Sequence, residues 1–312
     1  MRILYRVFLS VFCLVTNAHA GDLSDAINAV RNQCASIADD LNHMKTLAGI
    51  NTAVTGVGTA AGAGAFGVGI AKAQADNASD ALDELIATLE QGGAIPVTSL
   101  DMFYDTYAQA LAETGTVSGV QFAQQLKTAK GNLDTKSKKL GNWRTGLMAA
   151  NTATNIAGAV IAGNNRIDDS LQNKINACVR AVKKLSDVSM QAKIENSEPQ
   201  SEILRAEKII RECDAWAVVD VSSIDKRALG ASVSSGVGAG LGLVGTITSA
   251  TANSDKDNFK NTKTEKNLNI VSNVMAGGTT VATGAAVVFN ATQIAAIKNA
   301  SRVADKCQEV LK

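Results

Sequence analysis

Proline is nearly missing from this chain: Pro96 and Pro199 are the only two in 312 residues. With so little to interrupt a backbone hydrogen-bond ladder, and with abundant alanine to favour one, long unbroken helices are expected. Histidine is equally scarce. Beyond a removable leader only His43 remains, between Asn42 and Met44, so no histidine-based metal cluster can be assembled. Neither sign of charge dominates, with 30 Lys and Arg against 29 Asp and Glu. That balance gives no electrostatic footprint for nucleic acid, and the cluster Lys136, Lys138, Lys139 reads as a solvated helix face. No two cysteines stand at CxxC spacing, which excludes zinc and redox motifs of that type.

What is present begins with a leader. Residues 1–20 carry Arg2 and Arg6, an apolar core from Val7 to Val15, and Ala18-His19-Ala20 before Gly21. That is the three-part plan of a secretory signal, and its core is too short to span a bilayer. The mature chain is therefore expected outside the cytoplasm, in the periplasm or cell envelope. Cys13 leaves with the leader. Cys34, Cys178, Cys213 and Cys307 remain, an even count that suggests two disulfides in an exported chain.

From Asp22 the apolar residues step by three and four. Ile27, Val30, Cys34, Ile37, Leu41, Met44 and Ala48 form one seam; Leu171, Ile175, Cys178, Val182 and Leu185 form a second. Ala206, Ile210, Cys213 and Ala217 read as a third, and Ile297, Ala300, Ala304, Cys307 and Leu311 as a fourth. Each seam contains a cysteine. Past Ala48 the first seam dissolves into small residues up to Lys72, and similar Gly/Ala/Thr-rich runs follow Thr145, Ala228 and Asn267. Residues 76–131 read differently: a short helix opened by Asn77 or Ser79 and closed at Gly92-Gly93, then a capping box at Thr98 and Asp101 before Phe103, Tyr104 and Tyr107. From Lys130 one long helix is expected to run through the second small-residue stretch to Val188. The polar segment Asn196 to Gln200 is the best boundary.

The two halves read as copies. Val30-Arg31 aligns with Ile210-Arg211, and the same register sets Gly56-Val57-Gly58 on Gly236-Val237-Gly238. On the return arm Lys136, Lys139, Asn142, Met148 and Ala149 match Lys263, Lys266, Asn269, Met275 and Ala276. The expected fold is all-α: two duplicated long helical hairpins forming an elongated four-helix bundle. The first hairpin covers 21–197 with the insert 76–131 at its tip, and the second covers 198–312. Each cysteine lies roughly 40 to 50 residues from a turn, about 60–75 Å at helical rise. All four then share one level, and Cys34–Cys178 with Cys213–Cys307 is the simplest pairing.

Gly58–Gly62, Gly236–Gly240 and Gly238–Gly242, with Thr280–Gly284, are small-xxx-small pairs that let helix backbones approach closely. In composition and spacing, and over those runs only, they resemble the runs of glycine-zipper envelope proteins. Two uses compete. The runs pack together as part of a soluble bundle, or they insert into a bilayer as hairpins. Gly62 to Gly67 and Gly240 to Gly245 each spell GxGxxG, but helical periodicity precedes both, so no dinucleotide site and no cofactor is expected. Ser223 to Lys226 fits SxxK without its partner motifs, and Asp39-Asp40 and Asp168-Asp169 lack an EF-hand loop. The sequence thus implies no enzyme and no small-molecule substrate. It implies an exported structural or interaction protein with a protein partner or self-association, or alternatively a membrane-inserting, pore-forming or toxin-like hairpin protein.

Overall fold

The computed structural model describes residues 22–90, 119–254 and 262–312. The leader, the capping box at Thr98 with Phe103, Tyr104 and Tyr107, and the turn at Asp255 lie outside them. Among the described residues every regular element is helical and there is no strand. The helices are α1 (Asp22–Cys34), α2 (Ile37–Glu90), α3 (Gly119–Asn164), α4 (Asp169–Glu195), α5 (Gln200–Cys213), a 3-10 turn (Asp214–Val218), α6 (Val221–Ala252) and α7 (Lys263–Leu311). The scarcity of proline is used as expected, since α2 runs unbroken for 54 residues and α7 for 49.

Three departures from the sequence reading stand out. No separate helix opens at Asn77 or Ser79: α2 continues straight to Glu90, and α3 starts at Gly119 and passes Lys130 without a break. The described ends of the expected insert are therefore continuations of the long helices. The helix from Lys130 does not reach Val188, because it stops at Asn164 and α4 begins after Asp168. There the Asp168 carboxylate accepts from the Leu171 backbone N–H at 2.7 Å, an N-cap that makes the break favourable. The helix of the third seam, α5, also breaks, at the 3-10 turn after Cys213. Its buried stripe is Ile203, Ala206, Ile209, Cys213 and Trp216; Ile210 is only partly buried and Ala217 is exposed. Burial of the large Trp216 indole shifts the register that the smaller Ile210 and Ala217 suggested.

The chain divides into two compact units that cut across the sequence halves. The disulfide unit takes the described parts of Met1–Val54 with Ala157–Ser234 and Ala285–Lys312. Its core is conventional. Leu41 and Ile37 from α2, Cys178 and Leu185 from α4, Ile209 from α5 and Ile297 from α7 are at most 1% exposed. Cys34 is bonded to Cys178 and Cys213 to Cys307, joining α1 to α4 and α5 to α7. These bridges close separations of 144 and 94 residues. In the chain-entropy account each such loop contributes about 5 kcal/mol. Polar ties complete the unit: Arg31 Nε donates to the Leu311 carbonyl at 2.8 Å, and Lys174 pairs with Asp40 at 2.7 Å. Asn196, the helix-ending residue at φ 52°, sits at the polar break that the sequence marked.

Candidate functional site

The glycine unit comprises the described parts of Thr55–Ile156 with Ser235–Gly284. Here the seam whose apolar residues give out after Ala48 continues at the same three-and-four spacing, with a different class of residue. On α2 the buried positions are Thr55, Gly58, Gly62, Ala65, Gly69 and Lys72. On α6 they are Ser235, Gly238, Gly242, Gly245 and Ser249, and on α7 Asn269, Ser272, Ala276, Thr279 and Thr283. On α3 they are Leu126, Ser137, Gly141, Arg144, Met148, Asn151, Thr152 and Asn155. Helical wheels thus point inward a stripe rich in glycine, alanine, serine, threonine and asparagine, with Lys72, Arg144 and Met148 among them; toward the charged end of the unit Leu82, Ile86 and Leu126 are buried as well.

The centre of this interior is the segment Asn151 to Asn155 of α3. A Cβ on Gly58 would lie 2.6 Å from Thr154 Oγ1, and one on Gly62 would overlap Asn151 Nδ2. On α6 a Cβ at Gly238 would lie 2.8 Å from Asn155 Oδ1, and one at Gly242 would lie 2.5 Å from Thr152 Oγ1. Two glycines four apart on α2, and two on α6, therefore form notches that receive four polar side chains from one turn of α3. The register that aligns the halves also relates Gly58 to Gly238 and Gly62 to Gly242. Gly69 opposite Asn273 and Gly141 opposite Asn253 repeat the device elsewhere in the unit.

The other expected packing positions behave differently. Gly236, Gly240 and Gly284 have open space where a Cβ would stand. The difference follows from helix geometry. Residues two apart point to nearly opposite sides of a helix, so in Gly236-Val237-Gly238-Ala239-Gly240-Leu241-Gly242 only one of the two overlapping pairs can face inward. Sequence spacing names both; burial selects Gly238–Gly242.

Most polar groups in the interior find partners close by, Asn151 Nδ2 and Ser235 Oγ being buried without one among the described residues. Asn155 Nδ2 donates to the Asn151 carbonyl at 3.0 Å and meets Asn151 Oδ1, while Thr283 Oγ1 donates to Asn155 Oδ1 at 3.1 Å. Thr152, Thr279 and Thr283 also donate to carbonyls four residues back in their own helices, at 2.8, 2.7 and 2.7 Å. Such self-satisfied hydroxyls can be buried at little cost. Arg144 is fully buried. Its Nε donates to Ser249 Oγ at 3.0 Å, and its terminal nitrogens to Asn273 Oδ1 at 3.1 Å and Asn269 Oδ1 at 2.7 Å. Ser272 Oγ donates to the Gly245 carbonyl at 3.1 Å.

The outer surface of the same unit is the reverse. Val57, Ile70, Ile156, Ile247, Val274 and Val281 are 45% to 74% exposed. Apart from the buried Arg144, charged side chains lie in the stretches beyond them. Lys72, 3% exposed, pairs with Asp76 at 2.7 Å and approaches Glu265 at 3.7 Å; Lys266 pairs with Asp80 at 2.6 Å and Lys130 with Asp83 at 2.9 Å. Hydrogen bonding to Asp83 holds the Lys130 ammonium above its usual range, and Asp80 does the same for Lys266. Three helical stretches are long and apolar enough to cross a membrane by length and composition, within Asp22–Glu84, Val221–Ala252 and Lys263–Leu311. Their most apolar windows are only 28% to 33% buried.

The remaining sequence candidates have structural work. Both GxGxxG stretches lie inside helices, with no strand before them. Ser223 Oγ donates to the Asp220 carbonyl at 2.9 Å at the start of α6, and Asp40 holds Lys174. Asp168 is an N-cap and His43 is exposed. Among the described residues no cluster of three His, Cys, Asp or Glu side chains is placed to hold a metal. Comparison with family models, curated proteins and solved structures finds no match to this chain.

Proposed function

We propose that this is a non-enzymatic protein of the cell envelope, exported by the signal at residues 1–20, which inserts its Gly/Ala/Thr-rich helices into a lipid bilayer. In this reading two duplicated helical hairpins form a four-helix bundle, stapled by Cys34–Cys178 and Cys213–Cys307. The glycine pairs Gly58–Gly62 and Gly238–Gly242 act as a zipper in the membrane-embedded part.

One observation carries the proposal: along 55–71, 145–156, 235–254 and 267–284 the glycine unit buries mostly small and polar side chains and exposes large apolar ones. In water that distribution is doubly unfavourable, because apolar surface stays wet and polar groups lose hydration. In hydrocarbon both terms change sign, and close backbone approach with interhelical hydrogen bonds is what holds helices together. Chain lengths agree. The uncharged runs 46–71, 145–165, 228–254 and 267–297 contain 26, 21, 27 and 31 residues, against the roughly 20 that cross a bilayer core. The glycines also make sense there. Each costs about 0.8–1 kcal/mol of helix propensity relative to alanine, a loss offset where a polar side chain fills the notch.

The soluble scaffold, with a protein partner or self-association, remains the competing reading, and the disulfide unit with its apolar core is what favours it. Flotation of the purified, oxidised mature chain with liposomes decides between them. Co-flotation resistant to high salt and alkaline wash supports insertion. A chain left in the aqueous fraction, helical and monodisperse, refutes it. Release of an entrapped dye then separates a pore-forming role from a purely structural one.

A further inference from the structure

Resting on that membrane-embedded reading, we propose that the charged end of α3 is a docking surface for anionic phospholipid headgroups, formed by Lys136, Lys139 and Trp143. The three lie at i, i+3 and i+7, one stripe of the helix, and all are exposed. Trp143 is 69% exposed, and the uncharged run 145–165 begins two residues further on. An amphipathic indole at the edge of an apolar segment, with cations on the polar side, is the arrangement that settles at the level of lipid headgroups.

The charges around the stripe leave its lysines available. The carboxylates in this part of the unit are engaged elsewhere: Asp76 by Lys72 and Ser137, Asp80 by Lys266, Asp83 by Lys130, and Asp134 by Ser79 and Lys130. Among the described residues Lys136 and Lys139 have no ion-pair partner. No ion pair among the described residues ties either ammonium group to another helix. The two, beside an exposed indole, offer what a phosphate-bearing surface would recognise. Since all three side chains stand exposed on one helix face, the surface suits a plane of headgroups and not one enclosed phosphate ion.

The test is flotation of the oxidised mature chain with two kinds of vesicle, phosphatidylcholine alone and phosphatidylcholine mixed with phosphatidylglycerol. Each basic residue near an anionic surface contributes about five-fold in affinity, so the pair predicts roughly a 25-fold preference for the mixed vesicles at low salt. Lys136→Gln with Lys139→Gln should remove that preference and leave binding to phosphatidylcholine unchanged, with helicity by circular dichroism as the folding control. Inorganic phosphate at matched ionic strength should not compete. In a Trp216→Phe background, Trp143 emission should shift to shorter wavelength on binding. Equal affinity for both vesicles, retention of the preference in the double variant, competition by inorganic phosphate, or an unshifted Trp143 would each overturn this proposal while leaving insertion standing. Failure to float with either vesicle would overturn insertion itself.

Discussion

Gly236 and Gly238 stand two residues apart on α6, and alanine is predicted to have opposite effects at the two sites. At Gly236 the new methyl group meets nothing within 4 Å, so the substitution gains only helix propensity, about 0.8–1 kcal/mol. At Gly238 the same methyl would lie 2.8, 2.9 and 3.1 Å from Oδ1, Cγ and Nδ2 of Asn155. Asn155 cannot swing aside freely, because it is held by the Asn151 carbonyl and Thr283 Oγ1. Overpacking costs about 1–3 kcal/mol, and loosening those bonds adds about 1 kcal/mol. After subtracting the propensity gain, Gly238→Ala should destabilise by roughly 1–3 kcal/mol. Thermal unfolding in detergent micelles, followed by circular dichroism, reads both changes. At about 2–4 °C per kcal/mol, Gly236→Ala should raise Tm by a few degrees and Gly238→Ala should lower it by several. A double-mutant cycle sharpens the claim: in an Asn155→Ala background the Gly238→Ala penalty should largely vanish. Tm shifts of the same sign at both glycines, or an unchanged penalty without Asn155, would refute the notch-and-plug interior.

Non-reducing peptide mapping should recover Cys34 with Cys178 and Cys213 with Cys307, and Cys178→Ser should cost about 2–5 kcal/mol in denaturant titration; bridges between Cys34 and Cys213 would contradict the assignment. Arg144→Met removes the donor that Ser249, Asn269 and Asn273 share, and should destabilise by about 2–4 kcal/mol with loss of unfolding cooperativity; a neutral result would show that the arginine is not structurally engaged. The Arg166 guanidinium, bonded to both Asp225 oxygens at 2.9 Å, holds that carboxyl below its usual 3.8. A depressed carboxylate contributes stability above its unfolded pKa and loses it as pH falls through the folded value. Asp225→Asn should therefore lower stability slightly at neutral pH and make no difference well below pH 3.8; a difference that persists in acid would contradict the pairing.

The disulfide unit was legible in the sequence and the glycine unit was not, for a single physical reason. Periodicity reveals a helix face when the buried residues are apolar and their neighbours polar. Ile27 to Ala48, Leu171 to Leu185 and Ile297 to Leu311 meet that condition, and the structure buries those seams with their cysteines paired. From Thr55 to Lys72 the contrast is inverted: Gly58, Gly62 and Gly69 face inward and Val57 and Ile70 outward. The spacing survives there while the hydrophobic signal points to the wrong face. The asparagines at 151 and 155, polar residues inside an otherwise uncharged run, are plugs of the interior. Breaks depended on local chemistry that periodicity cannot register, such as the Asp168 cap. The register of α5 was lost because Ile209 and Ile210 are both apolar and only the burial of Trp216 chooses between them.

The central claim is that the apolar outer face of the glycine unit meets lipid. Spin labels at Val281→Cys and Ile247→Cys, in the oxidised chain reconstituted into liposomes, test it by collision with oxygen and with a water-soluble nickel chelate. Oxygen, which concentrates in hydrocarbon, should relax both labels while the chelate does not reach them. Ready access of the chelate to both sites would place that face in water and contradict the account.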